Sequence, residues 1–204
     1  MKQEVFEFFS ALQERIVAAL EVVDRKGFTR DSWQRPDLVM DTLRIADGSV
    51  VADLGAGGGW FTVRLARRVG PNGRVYAEDI QRQMIDAIDR RVTREGMKDR
   101  VTLVLGTALD PALPPGRLDA VLIVDAFYEM EQPAVLLRNL AKSLKPDGRI
   151  GLIDFKKDGG GPGPPMEERV DPEVVIKAAE AAGLKLLSRE TFLRYQYMLI
   201  FGRR

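Results

Sequence analysis

Hydrophobic positions along this chain follow one period at its start and others further on. Over residues 4–23, Val5, Phe9, Leu12, Ile16, Leu20 and Val23 recur at steps of three and four, which predicts an amphipathic helix. The stretch "GFTRDSWQRPD" interrupts that period, and Pro36 then suits the first turn of a second helix over 37–45, closed by "ADGS". From Val50 onward short β-branched runs alternate with helical stretches. The predicted strands are "SVVADL", "GRVYAED", "VTLVLG", "LDAVLIVD" and "GRIGLIDF", with helices near 59–69, 81–95 and 132–144 between them. That alternation predicts a parallel sheet covered by helices on both faces. "VGPNGR" and "LKPDGR" read as turns that deliver the chain into the next strand. The run "KKDGGGPGPPMEERV" is too polar and too broken for a core. A helix over 172–182 follows it, and "LKLLSRETFL" and "YQYMLIFG" then read as a terminal hairpin.

Composition narrows the chemistry more than the fold. The 204 residues suit one domain with a helical extension, divided here as a helical cap over 1–46 and a main domain over 47–204. Lys and Arg total 31 against 30 Asp and Glu, so no global field draws the chain to nucleic acid or to an anionic membrane. Cysteine and histidine are both absent, which removes disulfides, thiol nucleophiles, thiolate metal sites and the commonest general base. No metal site is expected, and the catalytic vocabulary reduces to Asp, Glu, Lys, Tyr and the backbone. No apolar run approaches the roughly 20 residues of a membrane span, and the first ten residues are unlike a signal peptide. A cytoplasmic protein is expected.

The chemistry concentrates in "VVADLGAGGGWFTVRLA". Asp53 ends the first predicted strand, and Gly55, Gly57 and Gly59 follow at alternate positions before a helix, at the carboxyl edge where ligands of parallel sheets bind. A dinucleotide loop, G-x-G-x-x-G, would want its third glycine where Trp60 stands. D-x-G-x-G-x-G matches at every position, and Asp53 makes sense as an anion facing an ammonium or sulfonium. Twenty residues beyond Gly59 the second strand ends in Glu78 and Asp79, where a carboxylate can accept both hydroxyls of a ribose; Asp79 is the preferred candidate. A cationic nucleoside with a free ribose, S-adenosylmethionine, satisfies both acids.

From about residue 33 to the C-terminus the chain resembles the class I S-adenosylmethionine-dependent methyltransferases. The resemblance rests on the glycine stretch, "VYAEDIQRQM", "LDAVLIVDAFYEM" and "LKPDGRIGLIDF", which occur in that family's order and spacing. It implies a Rossmann-like three-layer α/β sandwich with a seven-stranded, mostly parallel sheet whose last strand is antiparallel, in line with the hairpin. It also implies that Gly55, Ala56, Gly57 and Gly59 wrap the methionine end of the cofactor, that Asp79 holds the ribose, and that Ile80 and Met84 face the adenine. Many members carry "GD" after the third strand. Here Gly106-Thr107 stands in its place, leaving Thr107, Ala108 or Asp110 to reach the adenine. Asp125 would lie near the amino acid moiety or the transferred methyl, and the product would be S-adenosylhomocysteine. A shorter resemblance joins "FFSALQERIVAALEVVDRKGFTRDSWQRP" to the opening of oxygen-dependent coproporphyrinogen oxidase, without the glycine run that follows there.

Methyl transfer from a sulfonium is an in-line displacement, and alignment of the reactants contributes most of what such an enzyme supplies. A base is needed only for a hydroxyl or a charged amine; the candidates are Asp125, Tyr128, Glu129 and Asp154. Many members of the resembled family carry histidine near the position of "FYEM". Trp33, Gln34 and Tyr195 are candidates for a roof or lid over the substrate. A nucleic-acid acceptor is not expected, because "DAFY" replaces an "NPPY"-like motif and no basic stripe interleaves with aromatics. Three functions remain open: methyl transfer to a small molecule or another acceptor that is not nucleic acid, a catalytically silent S-adenosylmethionine-binding partner protein, and a nicotinamide-dependent oxidoreductase. The N-terminal helix is a candidate pocket cap or homodimer interface.

Overall fold

A computed structural model of the chain describes residues 29–158 and 160–204. The predicted helix over 4–23, with its proposed capping or dimer role, lies outside the described residues, as does most of the stretch that resembles the oxidase.

The predicted sheet is present. Strands β1 (Val50–Leu54), β2 (Arg74–Asp79), β3 (Val101–Leu105), β4 (Leu118–Val124), β5 (Leu144–Phe155), β6 (Leu184–Glu190) and β7 (Gln196–Arg203) form one seven-stranded sheet in the order β3-β2-β1-β4-β5-β7-β6. β7 runs antiparallel to both β5 and β6, and the other neighbouring pairs are parallel. The helices are α1 (Arg30–Gln34), α2 (Pro36–Thr42), α3 (Trp60–Arg68), α4 (Arg82–Arg94), α5 (Pro133–Ala141) and α6 (Pro172–Ala181). Successive strand side chains point to opposite faces. Val51, Val75 and Ala77 therefore enter one core with Phe61 and Leu65 of α3 and Ile88 of α4. Ala52, Val121 and Ile123 enter the other, with Leu137 of α5 and Val175 of α6. Val39, Met40 and Leu43 of the α2 region join the first of these cores.

The strand order reverses between β1 and β4. β1 leads to β2 and β3 on one side, and β4 leads to β5 on the other, so a crevice opens at their carboxyl ends. Asp53, Asp79 and Asp125 all stand at that edge, within or just after their strands.

Two local predictions are corrected. "RDSWQ" was expected to break helical structure, yet it forms the single turn α1. Arg35 then turns left-handed at φ 47° and donates its N–H to Asp31 O, and Pro36 opens α2 in a new direction. "LKPDGR" was expected to be a turn ahead of the fifth strand. It lies inside β5 instead: Leu144 already pairs with Leu118, and the ladder resumes at Arg149 opposite Ala120 after a register shift.

The Gly/Pro segment after β5 is tied down by one buried side chain. Arg169 donates from Nε to Pro164 O at 3.0 Å and from Nη1 to Lys156 O at 2.9 Å and Gly160 O at 3.1 Å, with its guanidinium over the Phe155 ring. Bonds from an ionised donor contribute about 1.5–3 kcal/mol each, with partial redundancy when three share one group. Arg169→Ala is expected to lower unfolding stability by roughly 2–4 kcal/mol and to speed proteolysis within 158–165. Urea melts and timed digestion check it, and an unchanged midpoint would mean that the loop holds itself. None of the described helices is long and apolar enough to cross a membrane.

Candidate functional site

The crevice holds a cavity of about 220 Å³ built from the ends of β1, β2 and β4, the loops after β3 and β5, and α1. Its floor is the glycine loop. Asp53 is buried and accepts a hydrogen bond from Thr62 Oγ1 at 2.6 Å; burial pushes its carboxyl up to about 6. Gly55 has φ 65°, a left-handed backbone that favours glycine, and a Cβ there would press on the Cβ of Ala126 at 3.0 Å, so the β1 and β4 loops lie close together. Gly57 donates its N–H to Asp79 Oδ2 at 3.0 Å, and Gln81 donates to Asp79 Oδ1 at 2.9 Å. Burial raises the Asp79 carboxyl and these donors partly offset it. Each carboxylate oxygen has a second lone pair, so Asp79 can still accept from two further donors, such as a vicinal diol.

The neighbouring Glu78 is also buried. It takes the Gly55 N–H at 3.3 Å, and burial pushes it up to about 8. Its Oε1 fills the space beside Gly106, where an added Cβ would lie only 1.9 Å away. Gly106 is therefore required by Glu78, while Thr107 bonds its own turn: its Oγ1 accepts from the Asp110 N–H at 3.0 Å.

On the opposite wall, Asp125 follows β4 at φ 54° and accepts from Gln196 Nε2 at 2.6 Å. Burial, then the Asp154 charge, push it up to about 7. Gln196 in turn accepts from Gln34 Nε2 at 3.0 Å, and Gln34 Oε1 accepts from Arg30 Nε at 2.5 Å. A continuous polar chain thus runs from α1 through β7 to the end of β4. Tyr128 and Glu129 stand on a 3-10 turn, Phe127–Glu129, and burial raises both.

Of the residues singled out in the sequence, Asp53, Gly55, Ala56, Gly57, Asp79, Ile80, Met84, Thr107, Ala108, Asp125, Tyr128 and Glu129 line the cavity. Five others do not. Gly59 caps α3 at φ 76° and packs toward Ile88, and Gly58 takes the place at the cavity wall expected of it. Asp154 is fully buried behind the wall, with Oδ1 accepting the Phe155 N–H and Oδ2 lacking a protein partner. Trp33, Phe155 and Tyr195 form one aromatic cluster, with the rings of Phe155 and Tyr195 each 6.0 Å from that of Trp33, and of the three only Phe155 reaches the cavity. Gln34 acts through the polar chain. Asp110 also stays outside the cavity, holding its own loop through the Ala112 N–H.

Sequence reasoning missed Arg30, Phe155, Pro164 and Gln196. A polar residue between two tyrosines in an otherwise apolar strand was the available signal for Gln196. Arg30 had none, because its segment had been read as a break.

The model of a methyltransferase domain matches residues 51–148. Among curated proteins, the chain is 29% identical over 156 residues to a demethylmenaquinone methyltransferase of Symbiobacterium thermophilum, covering 76% of this chain and 61% of that protein. It is 30% identical over 125 residues to the ubiquinone/menaquinone biosynthesis C-methyltransferase UbiE of Hydrogenovibrio crunogenus, covering 61% and 48%. The chain thus spans about half to three-fifths of the length of such relatives. A solved S-adenosylmethionine-dependent methyltransferase from Aquifex aeolicus superposes with a TM-score of 0.83 at 26% identity, covering 93% of this chain and 97% of that one.

Proposed function

We propose that this chain, which belongs to the class I S-adenosylmethionine-dependent methyltransferases, binds S-adenosylmethionine in the β1–β4 crevice and methylates a small, largely apolar acceptor of the hydroxylated aromatic, quinol-like class. The observation that carries the cofactor assignment is Asp79. Its carboxylate is fixed by the Gly57 and Gln81 N–H groups with acceptor capacity left for two ribose hydroxyls. Ile80 and Met84 supply apolar faces for a base beside it, and the buried Asp53 supplies an anion under the glycine loop.

The acceptor class is supported by the rest of the wall. Tyr128, Met130, Leu136, Phe155 and Pro164 give the cavity an apolar, partly aromatic side away from the glycine loop. The names of the relatives given above point the same way.

When bound, S-adenosylmethionine supplies an electrophilic methyl on a sulfonium sulfur that departs as a neutral thioether. The protein holds the two reactants in line and keeps water out, while Asp125 stands at the end of β4 to take the proton that an aromatic hydroxyl or ring carbon releases. A carboxylate held near 7 suits that task at neutral pH. Asp125 is kept in place by Gln196, and Glu129 is the second carboxylate on the same wall.

Titration calorimetry with S-adenosylmethionine, S-adenosylhomocysteine and NAD tests the cofactor. Binding of both adenosyl compounds without NAD is expected, and binding of NAD alone would overturn the reading. Methyl transfer from isotope-labelled S-adenosylmethionine, assayed against hydroquinones of graded hydrophobicity and against simple amines, tests the acceptor class. Turnover of the amines alone would reject it.

A further inference from the structure

The polar chain that ends on Asp125 has a direction. Arg30 presents donors only, so the oxygen of the Gln34 amide has to face it, and Arg30 Nε donates to Gln34 Oε1 at 2.5 Å. The amide nitrogen of Gln34 is thereby turned to Gln196, where it donates to Oε1 at 3.0 Å. That commits the oxygen of Gln196 and leaves its nitrogen for Asp125 Oδ1, at 2.6 Å. Each donor points from the cation toward the carboxylate. Reversing Gln196 would set its oxygen against the Asp125 carboxylate and its nitrogen against the nitrogen of Gln34. Both glutamines are fully buried, so water does not repair such a mismatch.

The two ends of the chain are held independently. Arg30 belongs to α1, and its guanidinium lies 4.2 Å from the ring centroid of Trp60, the first residue of α3. Asp125 has a left-handed backbone at φ 54°, and its N–H donates to Ile153 O of β5 at 2.9 Å. α1, β7 and the end of β4 thus converge on one orientation of one carboxyl group. The fold does not need this convergence, because two apolar side chains of similar shape in place of the glutamines would pack at little cost.

With Asp125 as the base described above, we propose that Gln34 and Gln196 are positioning residues for methyl transfer. They carry the orientation set by Arg30 to Asp125, bind its Oδ1 and leave Oδ2 as the atom that takes the acceptor's proton. One proton passes from the acceptor to Oδ2 for each methyl gained. The acceptor supplies the electron pair of the new bond, and the sulfur keeps the pair of the broken one. The amide N–H of Gln196 and the charges of Arg30 and Arg169 favour the ionised form of Asp125, whereas burial and Asp154 oppose it; Tyr128 and Tyr197 lie within electrostatic reach as neutral phenols. Without the relay, burial and Asp154 would keep Asp125 protonated at neutral pH, where it could take no proton.

The experiment follows the side-chain carboxyl carbon of Asp125 by NMR in the full chain labelled at aspartate, with Asp125→Asn identifying its signal. The wild-type midpoint is expected at about 7. Gln196→Met is expected to move it up by about one pH unit. Gln34→Met should move it up by less, since Gln196 keeps its N–H groups and loses only their fixed direction. Arg30→Lys should leave it nearly in place, because lysine too has donors only. The rising limb of kcat against pH, measured with a hydroquinone, should move with the midpoint. Unchanged midpoints in both glutamine variants, even with lowered melting temperatures, would make the two residues structural and overturn the proposal. A wild-type midpoint in the ordinary carboxylate range overturns it together with the choice of Asp125 as base. The expected order of midpoints without methyl transfer to any hydroquinone upholds the relay and overturns the acceptor class, so the two failures are told apart. Gln34→Met decides the matter if Gln196→Met does not fold.

Discussion

Asp79→Ala is expected to weaken S-adenosylmethionine binding by well over tenfold, read by titration calorimetry on the folded variant. Hydrogen bonds to an ionised acceptor contribute about 1.5–3 kcal/mol each, and tenfold in affinity is about 1.4 kcal/mol. Losing both ribose hydroxyl contacts, about 3–6 kcal/mol together, therefore costs about a hundredfold or more. The substitution also releases the Gly57 and Gln81 N–H groups, which Asp79 holds at 3.0 and 2.9 Å. The glycine loop loses one tether and is ordered only when ligand binds, which adds to the loss. Glu78→Ala is the informative contrast. Glu78 sits next along β2, but it faces Gly55 and Gly106 and makes no bond to Gly57. A smaller loss than for Asp79→Ala is expected, and the reverse order would move the ribose to Glu78.

That contrast also shows what the sequence made legible. Periodicity gave the sheet and the two cores, since each depends on local spacing. It could not separate the two adjacent acids, because Glu78 and Asp79 both reach the cavity and only their partners, Gly55 and Gly106 against Gly57 and Gln81, distinguish them. The roles that needed distant pieces stayed hidden. Gln196 and Gln34 are 162 positions apart and meet only when β7 enters the sheet between β5 and β6. Arg30 lay in a segment whose lack of period read as a break, yet one helical turn needs no period. Gly59 fitted a motif on spacing alone. Its left-handed φ serves the start of α3, and the ligand-facing position passes to Gly58. Asp154 closed a predicted strand as convincingly as Asp53 did. Only its packing behind Asp125 separates a buried electrostatic neighbour from a wall residue.

The same buried carboxylates give the second large effect, in which apo stability and cofactor affinity change with pH in opposite directions. Burial pushes Asp53 and Asp154 to about 6, Asp125 to about 7 and Glu78 to about 8, above the ordinary 3.8 of Asp and 4.5 of Glu. Between about pH 4 and 8 the folded protein therefore holds more protons than the unfolded chain. Its stability is greatest below the unfolded values and falls as pH rises through the folded ones. The loss from pH 5 to 8 is expected to be on the order of a few kcal/mol, discounted because the groups repel one another and do not ionise independently. A cationic ligand favours the ionised forms, so S-adenosylmethionine binds more tightly as pH rises over the same window, by up to a decade per unit for each coupled proton. S-adenosylhomocysteine keeps the ammonium but lacks the sulfonium charge, and its affinity is expected to climb less steeply. Melting temperatures of the free and the S-adenosylmethionine-saturated protein, taken at constant ionic strength, should diverge between pH 5 and 8. Parallel curves, or an apo curve that rises with pH, would mean that these carboxylates are already ionised in the folded protein at the low end of the window and that Asp125 has no more basicity than an ordinary carboxylate.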